Sequence, residues 1–200
     1  METQTARLDE AIRGRFLLSR YDRWLFQIMQ PCLGQRVLEV GCGLGNFTPL
    51  LLERELVVAT DVNPRYCASV AARYGHFPQL VVLPYDLTTP PGSPLTDFSF
   101  DTALCLNVLE HIADDAVALR HLHQLLEPGG RLVLLVPAGP RLYTSLDKAI
   151  GHYRRYAAPE LRELLVTTGY AVERLGYINL LGAVGWWIGG RLLRQQMAQR

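Results

Sequence analysis

Along the first part of the chain, apolar residues recur at helical spacing: Leu8, Ile12 and Phe16, then Leu17, Tyr21, Trp24, Leu25 and Ile28. This predicts one or two amphipathic helices, stopped near Pro31. The pattern then changes. Residues 36–40 (RVLEV), 56–60 (LVVAT), 79–83 (QLVVL) and 131–136 (RLVLLV) are short runs dominated by Val and Leu, 100–107 (FDTALCLN) is a further largely apolar run, and each predicts a buried strand. A sixth strand is expected at YAVERLGY, ending at Tyr177. Helical segments separate them. TPLLLERE has Thr48 as its expected N-cap and Pro49 in its first turn, and NPRYCASVAARY has Asn63 and Pro64 in the same roles. ADDAVALRHLHQLLE is expected to end at Pro128 and Gly129, and PELRELLVTTG carries Gly169 at its C-terminal side.

Strands of continuous Val and Leu alternating with amphipathic helices predict an α/β fold, a doubly wound, mostly parallel sheet with helices on both faces. Its parallel connections should be right-handed. Ligands of such sheets gather beyond the carboxyl ends of the strands, near the point where strand order reverses. That rule places Gly41 to Gly45, Asp61, Asp86 and Asn107 on one rim, although they are far apart in sequence. The whole chain, 1–200, reads as a single domain. It comprises an N-terminal helical cap (1–31), a ligand-binding core (36–136), a lid over a substrate (137–158) and a C-terminal helix (178–200).

Composition narrows the class. The 200 residues are 49% apolar and 20% charged, enough for a hydrophobic core. A formal charge of +1 gives no global field for nucleic acid. The four cysteines, Cys32, Cys42, Cys67 and Cys105, form no Cys-x-x-Cys pair and read as reduced thiols of a cytoplasmic protein. No metal ligand set is legible and none is expected. The N-terminus has no apolar core of a secretory signal, and the greasiest stretch, residues 180–190, is too short and glycine-rich to span a bilayer.

The segment VLEVGCGLGNFT (37–48) carries the chemistry. Its glycines at 41, 43 and 45 are followed by Asn46, so the pattern stops one residue short of the dinucleotide fingerprint, and no Lys-Ser/Thr completes a phosphate loop. A ligand with an adenosine and no phosphate chain is expected. Asp61 taken alone would also suit a nicotinamide dinucleotide. The segment resembles the first motif of the class I S-adenosylmethionine-dependent methyltransferases, in particular the bacterial type 11/23-like group. The resemblance continues through PYDL, FDTALCLNVLEHIADD and LLEPGGRLVLLVP and covers about residues 20–177. It implies a Rossmann-like methyltransferase fold with S-adenosylmethionine as cofactor. It also implies a set of cofactor residues. Glu39 stands just before Gly41, Gly43 and Gly45. Asp61 would meet the ribose hydroxyls, and a carboxylate suits a diol because it accepts two hydrogen bonds. Asp86, followed by Leu87, would meet the adenine amino group, and Asn107 and Val108 would line the rim by their backbone. Tyr21, in YDRW, would close over the cofactor. Other readings stand beside these: Glu39 as a cap on backbone amides, Asp86 as a turn residue, Tyr21 and Trp24 as core.

Methyl transfer from a sulfonium needs chiefly alignment and exclusion of water. His111, expected at the start of a helix beside the rim, is the candidate base, or else a helix cap. LYTSLDKAIGHYRRY (142–156) brings together Tyr143, Asp147, His152, Arg154, Arg155 and Tyr156, and arginine forks match an anionic acceptor. The alternative is a solvated helix face. A group of bacterial methyltransferases carries a very similar stretch. The resembling fold has seven strands and only six are legible here; either the sequence is truncated or the protein departs from the pattern, and the sixth strand would then expose an edge. Trp186, Trp187 and Ile188 in the 180–194 segment would then pack on the domain, pair in a dimer, or lie on a membrane with Arg191 and Arg194 at the headgroups. The resulting expectation is methyl transfer to a small, anionic or lipid-linked acceptor, with no nucleic-acid partner. The alternatives are a nicotinamide-dependent oxidoreductase and a catalytically silent S-adenosylmethionine-binding subunit.

Overall fold

The computed structural model describes residues 20–179 and Gly182. The predicted positions Leu8 to Leu17, the C-terminal helix and the patch at Trp186 to Ile188 lie outside the described residues. The chain divides into two compact units. The first takes the described residues up to Leu87 together with Pro91–Cys105 and Leu125–Val133. The second takes Thr88–Pro90, Leu106–Gln124 and the described residues from Leu134 onward.

The first unit is built on a five-stranded sheet of order β3-β2-β1-β4-β5. Its strands are β1 (Arg36–Val40), β2 (Leu56–Asp61), β3 (Leu80–Pro84), β4 (Phe100–Leu106) and β5 (Leu126–Leu135). β1 pairs in parallel with β2 and β4, and β2 with β3. Val37, Leu38, Val57, Val58, Ala59, Phe100 and Ala103 are fully buried, which is why these runs carry almost no polar alternation. The chain runs outward from β1 to β3 and returns to β4 on the other side of β1. That reversal lies between β1 and β4, whose register pairs Val40 with Cys105. At the opposite end, the Gly34 amide donates to Thr102 Oγ1 (2.9 Å), and the Gln35 and Arg36 amides donate to Asp101 Oδ2.

Helices α1 (Arg20–Met29), α2 (Thr48–Leu51) and α3 (Pro64–Tyr74) belong to this unit. As expected, Asn63 caps α3, its side chain accepting from the Arg65 amide. Three expectations are corrected. α1 buries Asp22, Leu25 and Met29, so the stripe carrying Tyr21, Trp24 and Ile28 faces outward and neither aromatic is core. Thr48 does not cap α2: Phe47 holds the N-cap position, and the Thr48 hydroxyl is taken by Glu39. α2 itself stops at Leu51.

In the second unit a short 3-10 turn spans Leu109–His111, followed by α4 (Asp115–Leu125), α5 (Ser145–Ala149) and α6 (Ala158–Thr167). α4 ends three residues before Pro128, and β5 starts at once. α6 closes as predicted at Gly169, φ 102°. The Gly169 amide bonds the Val166 carbonyl and the Tyr170 amide the Leu165 carbonyl, the paired bonds of a Schellman stop. The predicted sixth strand is not formed; residues 170–178 take no strand conformation. Beyond Tyr170, only Val172 and Leu175 are half-buried, and a spacing of three cannot line one face of a strand. β5 is therefore the sheet's edge among the described residues.

Candidate active site

In the first unit the tips of β1, β2 and β3 end in register, with Val40 beside Thr60 and Asp61 beside Pro84. The chain leaves β1 through the glycine turn. Gly43 has φ 52°, and nothing lies within 4 Å of where a side-chain carbon on it would sit. This part of the turn is an open surface that a ligand can approach closely. Gly45 (φ 80°) is confined instead: a Cβ would meet Val70 Cγ2 at 3.1 Å and the Tyr74 ring at 3.4 Å. Arg73 on α3 donates to the Leu44 carbonyl and steadies the turn from behind.

Asp61, the last residue of β2, accepts from the Gly43 amide through Oδ2 (2.9 Å) and from the Asn63 amide through Oδ1 (2.8 Å). Each oxygen keeps a second lone pair, so the carboxylate can also accept from a ligand diol. The open face at Gly43 and this carboxylate fit an adenosine-bearing ligand. The Tyr85 amide, after β3, donates to the Asp61 carbonyl (3.0 Å) and sets half-buried Asp86 next in the chain, with Leu87 buried behind it. Tyr21 is 39% exposed and packs its ring against Trp24 at 5.7 Å.

Glu39 is buried under the turn. Its Oε2 accepts from the Thr48 hydroxyl at 2.7 Å, and Thr60 Oγ1 donates to its carbonyl. Burial pushes the Glu39 acid up to about 8, with the Thr48 hydrogen bond pulling down and the Asp61 charge pushing further up. The side chain therefore braces the turn through a threonine hydroxyl. Burial likewise holds the Cys42 and Cys67 thiols above their ordinary range, which keeps them un-ionised.

The remaining predicted residues lie in the second unit. Asn107 is exposed, has φ 53° and donates its amide to the Leu135 carbonyl (2.9 Å); Val108 follows it. His111 ends the 3-10 turn and does not start a helix, since α4 begins only at Asp115. Its ring meets the His152 ring edge to face, centroids 4.6 Å apart. Desolvation, then the neighbouring His152, lowers the His111 imidazole; desolvation also lowers that of His152, against the pull of Asp147. Both rings are therefore held toward the neutral form.

The arginines of the predicted lid are engaged internally. Asp147 is fully buried. It takes part in a capping box at the start of α5, accepts from Arg155 Nε at 2.8 Å, and lies 3.1 Å from His152 Nδ1. Arg154 pairs with Asp115, which also accepts from the buried Tyr156 hydroxyl at 3.0 Å. Tyr143, at the surface, donates to the His152 carbonyl (2.6 Å). The expected anion-binding fork is thus committed to the protein's own carboxylates, because the capping box at α5 brings Asp147 inside the segment.

Glu110 was not anticipated. It is 1% exposed, and neither carboxylate oxygen has a hydrogen-bond partner among the described residues. Burial raises its acid to about 7. The Glu-His pair within NVLEHI was its only sequence signal.

Residues 38–132 match the family described as a methyltransferase domain. A protein of Mycolicibacterium smegmatis named a probable S-adenosylmethionine-dependent methyltransferase is 32% identical over 145 residues, 71% of this chain and 54% of that protein. A ubiquinone biosynthesis O-methyltransferase of Pseudomonas aeruginosa is 30% identical over 112 residues, 55% of this chain and 48% of that protein. A solved S-adenosylmethionine-dependent methyltransferase from Mesorhizobium loti shares the fold, with TM-score 0.60 at 22% identity, covering 74% of this chain and 82% of that one. The chain spans about half the length of the curated relatives it matches.

Proposed function

The chain belongs to the class I S-adenosylmethionine-dependent methyltransferases, and from that premise we propose that it moves a methyl group from S-adenosylmethionine to an oxygen of a small acceptor. The observation that carries this reading is the open turn at Gly43 tied to the Asp61 carboxylate. When bound, the cofactor supplies a methyl carbon already activated by positive sulfur.

In this reading the protein's residues bind, orient and exclude water. The turn at Gly41, Gly43 and Gly45 lets the backbone approach the ligand. Asp61 accepts from the ribose hydroxyls, and Asp86 accepts from the adenine amino group with Leu87 as its apolar wall. Tyr21 closes over the bound cofactor. Glu39 holds the turn in shape through Thr48. An acceptor hydroxyl must lose a proton, and the neutral imidazoles of His111 and His152 are the groups suited to receive it.

Oxygen as the methylated atom rests on the names of relatives such as the ubiquinone biosynthesis O-methyltransferase. Arg154 and Arg155 no longer argue for an anionic acceptor, since both are paired internally. No helix of the described residues is long and apolar enough to cross a membrane. A dimer or membrane contact, and with it a lipid-linked acceptor, would have to be sought in the 180–194 segment.

The test is incubation with methyl-labelled S-adenosylmethionine and a panel of phenols, catechols and carboxylic acids. Label in a methyl ether is the expected result. Tight S-adenosylhomocysteine binding without transfer to any acceptor or lysate fraction would favour the silent-subunit reading instead.

A further inference from the structure

Ionised Glu110 would be a buried carboxylate without a donor, which proteins seldom retain unless a cation or ligand completes the site. Its Oε1 lies 3.8 Å from His152 Nε2. One ligand atom each from Glu110, His111 and His152 can be chosen so that all three lie within 4.8 Å of one another. Donors around a single ion at about 2.1 Å stand roughly 3–3.5 Å apart, so small side-chain rotations would close the set. His152 is already oriented for this. Its Nδ1 lies 3.1 Å from Asp147 Oδ1, which leaves Nε2 on the Glu110 side. A carboxylate behind a ligating imidazole is the usual outer support of such sites. The two segments are tied together, the Tyr153 amide donating to the Glu110 carbonyl at 2.8 Å. His111 is exposed and gives the site access to solvent.

We propose that Glu110, His111 and His152 bind one divalent first-row transition ion through two imidazole nitrogens and a carboxylate, with Asp147 as a positioning residue and with coordination positions left open. An acceptor hydroxyl bound at an open position would lose its proton more readily, to water reaching the site, and the resulting oxygen anion would attack the methyl carbon as its bond to sulfur breaks, a use that rests on the methyl-transfer reading. With the ion bound, His111 and His152 both act through it, and neither takes the proton itself.

The experiment is titration of the chelator-stripped full chain with Co²⁺, read by calorimetry and by visible absorption of the bound ion, with S-adenosylhomocysteine binding measured in parallel. One Co²⁺ per chain is expected, displaced by Zn²⁺. Glu110→Gln, His111→Ala and His152→Ala should each weaken binding at least tenfold, and Asp147→Asn by about tenfold or more. Circular dichroism checks each fold; His111→Ala, at an exposed position, keeps the test decisive if a buried variant unfolds. Failure of the wild type to bind Co²⁺, Zn²⁺ or Mn²⁺ stoichiometrically would overturn the site, as would unchanged affinity in the folded variants. Intact S-adenosylhomocysteine binding in that case would leave the cofactor reading standing.

Discussion

The amide of Gly43 and the carboxylate of Asp61, 18 positions apart in sequence, are joined by a 2.9 Å hydrogen bond. The bond fixes the turn after β1 against the end of β2. Asp61→Ala should remove this brace, the Asn63 contact and the proposed ribose partner together. S-adenosylhomocysteine affinity is expected to fall at least tenfold by calorimetry, since charge-assisted bonds are each worth about 1.5–3 kcal/mol. An unchanged affinity would remove Asp61 from the site.

Two glycines of the same turn should respond differently. Gly45→Ala forces a Cβ against Val70 at positive φ, and a loss of about 1–3 kcal/mol in urea unfolding is expected. Gly43→Ala meets no atom of the protein, so only the left-handed backbone costs, about 1–2 kcal/mol. Its main effect should be weaker cofactor binding, read by calorimetry.

The contribution of Glu39 to stability should fall as pH rises, opposed below about pH 6.5 by the lowered imidazoles of His111 and His152. Glu39 holds its proton in the folded chain up to about pH 8, whereas its ordinary value is 4.5. Between those values the native state binds more protons than the unfolded state, so the unfolding free energy declines with pH and levels off above 8. Glu110, raised to about 7, acts in the same sense. Glu39→Gln should flatten the decline of the urea midpoint between pH 5 and 8.5; an equally steep profile would contradict the assignment.

The neighbouring arginines should separate by burial. Arg155→Met leaves fully buried Asp147 without its guanidinium, and a cost of about 3–5 kcal/mol is expected. Arg154→Ala removes a pair whose arginine is 32% exposed, and the expected cost is about 1 kcal/mol or less. Urea unfolding of the two variants makes the comparison.

Much of this architecture is written locally in the chain. β1 to β3 are short runs rich in Val and Leu and β4 an apolar run of Phe, Ala, Leu and Cys, which suit a sheet covered on both sides, and the helix start at Asn63 and stop at Gly169 follow from single-residue preferences. Other features depend on partners remote in sequence. The Thr48 hydroxyl caps nothing because Glu39, nine residues earlier, takes it. Arg154 and Arg155 look like free anion forks until Asp115 and Asp147 are brought to them. Residues 170–178 have strand-like composition but no register to join. Glu110 reads as one acid of a motif, and only its burial beside two histidines makes it conspicuous.

Calorimetric titration of the purified chain with S-adenosylhomocysteine and, separately, with NADH tests the central claim most directly. The account predicts one S-adenosylhomocysteine bound per chain, weakened by Asp61→Ala, and no heat from NADH. No binding of S-adenosylhomocysteine to the folded chain, or saturable binding of NADH in its place, would contradict it.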